Sequence, residues 1–137
     1  METSPLILLI DCNQEDRNYY TRLLRISSPE FVVLHATTGQ SGLALCKRQS
    51  IDCVVMEFDL PDMSGFEVLL KLIPHVQHPE IAVVILTRLA NPHLLAGAIQ
   101  NGAQAAFYKG MASGDILNTA ILKAISTTQM DRFRLAI

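Results

Sequence analysis

The chain has no tryptophan, little charge and no cysteine pairing pattern, and each shortage removes a class of protein. Charged residues are 18% of its 137 positions against 50% apolar, the wrong balance for a disordered chain. Lys and Arg number 11 against 13 Asp and Glu, a net charge of −2 without a long basic run, so direct nucleic-acid binding is not expected. No apolar stretch reaches the roughly 18–20 residues that span a membrane. Met1-Glu2-Thr3-Ser4-Pro5 lacks the basic start of a signal peptide. Cys12, Cys46 and Cys53 are odd in number and nowhere C-x-x-C, which suits a reducing cytoplasm. His35, His75, His78 and His93 are scattered and read as solvated rather than as zinc ligands. No glycine-rich phosphate loop follows the first apolar run, and no Ser/His/Asp or Cys/His triad can be assembled. No enzyme active site is expected.

What is present is a regular alternation. Leu6–Ile10 is a short, wholly apolar run, as in a strand buried on both faces. Asn13 offers a helix cap, with Glu15 and Asp16 in the first turn and a stripe of Tyr19, Leu23, Leu24 and Ile26, until Ser27-Ser28-Pro29 stops it. Further strands are expected at 31–34, 53–56, 81–86 and 105–108. Between them lie a helix over 39–49 with Leu43, Ala44 and Cys46 inward, one through Phe66, Val68, Leu69 and Leu72, and one from Pro92 to Asn101-Gly102. Ser113 caps a last helix with Ile116, Leu117, Ala120, Ile121, Ala124 and Ile125 on one stripe. Five such units with short loops predict a three-layer αβα domain with five helices, a doubly wound, flavodoxin-like parallel sheet in the order 2-1-3-4-5. The domain is expected over 1–129. Residues 130–137, where Met130, Phe133 and Ile137 keep a helical spacing, read as a tail, a helical linker or a dimer contact.

Four of the strands run into Asp11, Glu57, Thr87 and Lys109. In a parallel sheet the carboxyl ends share one edge, where ligand chemistry collects. Ile10-Asp11-Cys12, the segment Met56–Gly65, Leu86-Thr87, the Asn101–Gln104 turn and Tyr108-Lys109 come in this order, with thirty residues from Glu57 to Thr87 and twenty-two from Thr87 to Lys109. Together they resemble the receiver domain of two-component response regulators over almost the whole chain. The resemblance implies bacterial-type phosphorelay signalling. Three carboxylates would hold Mg²⁺, and a central Asp would take a phosphoryl group from a histidine kinase. The lysine and threonine would bind the phosphoryl oxygens. It also implies protein partners: a histidine kinase, an output domain, another signalling protein or a second copy of the chain. Leu94, Leu95, Tyr108 and Leu122 would lie on the usual partner face.

The departures point toward an atypical, or pseudo-receiver, variant without Mg²⁺-dependent aspartyl phosphorylation. Cys12 replaces a metal-binding acid, and a thiol is a poor ligand for a hard cation. Asp11 and Glu57 facing Lys109 would leave a formal charge of −1 instead of −2. Each close charge pair is worth roughly 4 kcal/mol gross at ~4 Å and an effective dielectric near 20. Glu15 or Asp16 supplies a replacement ligand or simply answers the helix dipole. Glu57 replaces the acceptor Asp with a carboxylate one methylene further out. Three readings of it stay open: permanent imitation of a phosphoryl group, inert pairing with Lys109, or an unusual phosphoacceptor. Asp59 is expected to be solvated. Ala106 stands where an aromatic switch residue is usual, and Gly110 where proline is common. A small-ligand or redox sensor using the same cleft through Cys12 is a further alternative.

Overall fold

Residues that alternate along a strand point to opposite faces of a sheet, and here both faces are covered. The computed structural model describes the backbone of residues 4–136 and side chains to Met130. Its strands are β1 (Leu6–Ile10), β2 (Val32–Ala36), β3 (Cys53–Met56), β4 (Ala82–Thr87) and β5 (Ala105–Tyr108). The helices are α1 (Gln14–Ser27), α2 (Gly39–Arg48), α3 (Gly65–Leu72), α4 (Pro92–Gln100) and α5 (Gly114–Ala136). All strand pairs are parallel, in the order β2-β1-β3-β4-β5, with Ile7 beside Val33 and Cys53, Cys53 beside Ala82, and Val84 beside Ala105.

Ile7, Leu9, Val55 and Val84 meet Tyr20 and Leu24 of α1 and Leu117 and Ile121 of α5 on one face. Leu8, Ile10, Val54, Met56 and Ile85 meet Val68 and Leu69 of α3 and Ala98 of α4 on the other. Leu24, Leu117 and Ile121 are fully buried, each contributing about 1.5–3 kcal/mol of apolar transfer. The doubly wound three-layer architecture expected from the apolar runs is therefore the one present. The helix extends through the tail: α5 continues to Ala136, while Ile137 lies outside the described residues.

Several faces differ from the periodic reading. Tyr20 and Thr21 are buried on α1, whereas Tyr19 is 48% and Ile26 78% exposed. Neighbouring helical residues are about 100° apart, so only one of the two tyrosines faces the sheet; Tyr19 rests edge-on against Tyr20 at 5.0 Å. Ile116 is likewise exposed beside buried Leu117, and on α2 Ala44 is exposed while Leu45 packs inward.

The caps are local and explicit. Asn13, Thr38, Ser64 and Asn91 side chains accept from the backbone N–H groups of Asp16, Ser41, Glu67 and His93. The start of α2 has a second, non-local cap. Asp62, in the loop after β3, accepts from Gly39 N–H and Gln40 N–H, both at 2.9 Å. These two hydrogen bonds hold the Asp62 carboxyl below the ordinary aspartate range. At the end of α4, Gly102 has φ +106°, and a Cβ there would lie 2.8 Å from Ile73 Cγ2.

Gly102→Ala is therefore expected to lower stability by about 1–3 kcal/mol in urea denaturation. Because the folded Asp62 pKa is depressed, its contribution is present above the ordinary aspartate pKa and disappears as pH falls through the lower folded value. Thermal unfolding should show wild type ahead of Asp62→Asn at neutral pH, with the gap closing in strong acid.

Candidate functional site

The backbone ladder aligns the four strand ends before any side chain acts. Asp11 N–H bonds Ala36 O at 3.0 Å, Glu57 N–H bonds Ile10 O at 3.0 Å, and Lys109 N–H bonds Thr87 O at 2.7 Å. Asp11, Glu57 and Thr87 are all buried, Thr87 completely. The edge predicted from sequence thus brings Asp11, Glu57, Thr87 and Lys109 together.

Lys109 Nζ lies 2.6 Å from Asp11 Oδ2, 2.8 Å from Asp16 Oδ2 and 3.4 Å from Glu57 Oε1. Burial works against its charge, but the hydrogen bonds it donates to Asp11 and Asp16 and the field of Glu57 prevail, holding the ammonium protonated well above the ordinary lysine range. Asp16 corrects the sequence reading. It does more than answer the helix dipole, and with three carboxylates on one ammonium the cluster carries a formal −2. Asp11 is braced further. Its Oδ1 accepts from Asn13 N–H at 2.9 Å, and Arg17 Nη1 donates to its carbonyl at 2.6 Å. Arg17 Nε also donates to His35 Nδ1 at 3.3 Å, so His35 belongs to this network; burial, then Arg17 and Arg25, pull its pKa down.

Glu57 is held differently. Its Oε2 accepts from the Thr87 hydroxyl, from Phe58 N–H at 2.6 Å and from Asp59 N–H at 3.3 Å. Its Oε1 accepts from Arg88 N–H at 3.0 Å. Thr87 Oγ1 in turn accepts from Leu89 N–H at 3.1 Å. The loop supplying Phe58 and Asp59 is pinned by Gly65 N–H to Phe58 O at 2.9 Å. A Cβ on Gly65 would come within 2.8 Å of Phe58 Cα, so this closure needs glycine. Asp59 is exposed, as expected, and pairs there with the exposed Arg88. The backbone donors and Arg88 carried no sequence signal, because an N–H group is independent of residue type.

Cys12 is exposed, while burial pushes the Cys46 thiol up to about 11 and Cys53 higher still. Ala106 and Tyr108 lie in β5, Ala106 packed on the α3/α4 side of the core. Leu94 also packs on that core, whereas Leu122 is 43% exposed; Leu95 and Tyr108 are half-buried.

This arrangement is matched by known proteins. The sequence profile of the response regulator receiver domain covers residues 7–121. The chain belongs to that family. Receiver domains of the family are signalling modules of two-component systems, working between histidine kinases and output domains. Two-component response regulator ORR3 of Oryza sativa subsp. indica is 25% identical over 126 residues, covering 89% of this chain and 95% of the relative. Hybrid signal transduction histidine kinase D of Dictyostelium discoideum is 26% identical over 117 residues, 85% of this chain but 7% of that protein. A receiver domain structure from Clostridium thermocellum superposes with a TM-score of 0.80 at 27% identity, covering 92% of this chain and 98% of the other. The receiver of an HD domain-containing protein from Pseudomonas fluorescens Pf-5 gives 0.84 at 24% identity, covering 98% and 96%. Relatives from plants and a slime mould stand beside bacterial ones, so the match does not make this receiver bacterial. No described helix is long and apolar enough to cross a membrane.

The magnesium that the family implies does not fit the donors present. Asp11 Oδ2 is taken by Lys109, and both Glu57 oxygens by backbone and side-chain donors. Cys12 presents a soft sulfur in place of an acid. The cavity bounded by Asp11, Asp16, Arg17, Tyr20 and Glu57 is about 10 Å³, at the limit for one water molecule. Among the described residues no group of three His, Cys, Asp or Glu side chains is arranged to hold a metal ion.

The cluster's dependence on the ammonium is testable. Lys109→Met should cost about 3–5 kcal/mol in chemical denaturation at neutral pH, because three carboxylates are left facing one another. With its folded pKa raised, the stability Lys109 supplies is present below the ordinary lysine pKa and is lost only as pH rises through the higher folded value.

Proposed function

We propose that this receiver domain is an atypical one, a protein-interaction or regulatory module in which the Glu57 carboxylate stands permanently where a phosphoryl group would otherwise be bound. The observation that carries this reading is the Glu57 donor set. Thr87 and Lys109, the pair that resemblance assigns to phosphoryl oxygens, both converge on it, joined by three backbone N–H groups. Inert pairing with Lys109 is the weaker account. The ammonium makes its two shorter contacts to Asp11 and Asp16, and Glu57 is its longest at 3.4 Å. Charge-assisted hydrogen bonds from hydroxyl and backbone donors are the stronger hold on Glu57. Phosphoryl transfer to Glu57 would require the carboxylate to leave these donors, and misplacement by about an ångström costs on the order of 100-fold in positioned chemistry.

In this reading the module presents one fixed surface to a histidine kinase, an output domain, another signalling protein or a second copy. On this reading Leu94, Leu95, Tyr108 and Leu122 mark that face, and Leu122 is 43% exposed. With Ala106 in β5 the usual aromatic switch rotamer is missing, and Tyr108, beside Thr87 in the β4–β5 register, is the aromatic left on that strand face to substitute in part. In this proposal the face is set by Glu57 rather than switched.

The decisive experiment is an amide NMR titration with Mg²⁺ and then beryllofluoride. Resonances of Asp11, Glu57, Thr87 and Lys109 are expected to stay still at millimolar metal. Shifts that spread into β5 would sink the proposal and make this a switchable phosphoacceptor. Glu57→Gln tests imitation against inert pairing: it keeps the shape and removes the charge. Changes should extend from the Phe58 and Arg88 amides to Leu94 and Tyr108; changes confined to the immediate neighbours of Glu57 would mark an inert cleft.

A further inference from the structure

Between α2 and α3 runs an open groove of about 1240 Å³, away from the Lys109 cluster. Leu43 of α2, Met63 and Leu72 form part of its wall, all partly buried against the core, and Leu70 of α3 stands 63% exposed beside them. Lys47 and Arg48 occupy the last turn of α2, and Lys71 the last turn of α3, so both walls end in cations. None of these three forms an ion pair among the described residues. The groove's acids are Asp52 and Glu80, and Asp52 already accepts from Leu6 N–H at 2.7 Å. A trough with an apolar floor, mixed polar walls and cationic rims thus lies on a chain whose net charge is negative.

We infer that the α2–α3 groove is a docking site for an acidic amphipathic helix of a partner protein. Helix-in-groove recognition places apolar side chains at i, i+3/i+4 and i+7 spacing into such a trough. Acidic residues on the flanks of that helix meet Lys47, Arg48 and Lys71, which favours encounter and fixes register. A second copy of this chain suits the groove less well, because a two-fold pairing would set a patch carrying three cations and two acids against an identical patch. The inference stands apart from Glu57: the groove is present whatever the state of the cleft.

The test uses the full chain and a displayed library of helical peptides of about 16 residues, with leucine at every third or fourth position. The remaining positions are randomised among Glu, Lys, Gln and Ala. Enriched sequences are expected to be acidic and to shift the amides of α2 and α3 in NMR. The double variant Lys47→Glu/Lys71→Glu is exposed at both sites and should keep the circular dichroism of the native fold. It should bind those peptides about tenfold more weakly, with reduced salt dependence. Enrichment of neutral or basic sequences, or of none, would overturn the inference. So would shifts mapping to another face, unchanged affinity in the double variant, or dimerisation of the wild-type chain through the groove in sedimentation.

Discussion

One buried ammonium organises the working edge of this domain. Lys109, at the end of β5, binds carboxylates from the end of β1, the first turn of α1 and the end of β3. Taking such ions out of water costs several kcal/mol each, and the cost is recovered only when every lone pair and proton has a partner. Here that condition holds: no buried side-chain nitrogen or oxygen among the described residues lacks a hydrogen bond. The strand order that brings these four ends together is what makes the arrangement affordable at all.

The sheet could be read from sequence because its strands are continuous apolar runs bounded by caps and turn residues that act locally. Cys53–Met56 and Ala105–Tyr108 fall where the pattern puts them, and Asn13, Pro92 and Gly102 mark helix ends by their own chemistry. The helix faces were less legible. Tyr19 and Tyr20 are equally apolar, and Ile116 and Leu117 nearly so; only the packing decides which of each pair turns inward. At the cleft, the strand-end residues could be placed by topology. Asp16 could not, because its contact with Lys109 joins positions 93 apart and a first-turn acid already has a local explanation. The donors to Glu57 are mostly backbone, and residue identity says nothing about them.

The extra methylene of glutamate bears on the geometry of the edge. Glu57 carries its carboxylate one methylene further from the backbone than an aspartate would, toward the Thr87 hydroxyl and Arg88 N–H. Glu57 reaches both while lying 3.4 Å from Lys109. Asp16 then takes up the share of Lys109 that Glu57 leaves. In the proposed reading, the replacement of an acid by Cys12, the lengthened side chain at Glu57 and the engagement of Asp16 with Lys109 are one adjustment, an anion-binding edge filled from within by its own chain.

The last helix extends well past the sheet that packs its first half. Thr128 is still packed and bonds Ala124 O, yet the α5 backbone continues as helix to Ala136, a length of about 12 Å at 1.5 Å per residue. A helix turns about 100° with each residue, so the end of α5 has a definite phase relative to the sheet. It acts as a crankshaft: adding or deleting one residue between Thr128 and Ala136 would swing everything beyond it around the axis by more than a quarter turn. Four residues would leave the bearing about 40° off, and seven about 20°.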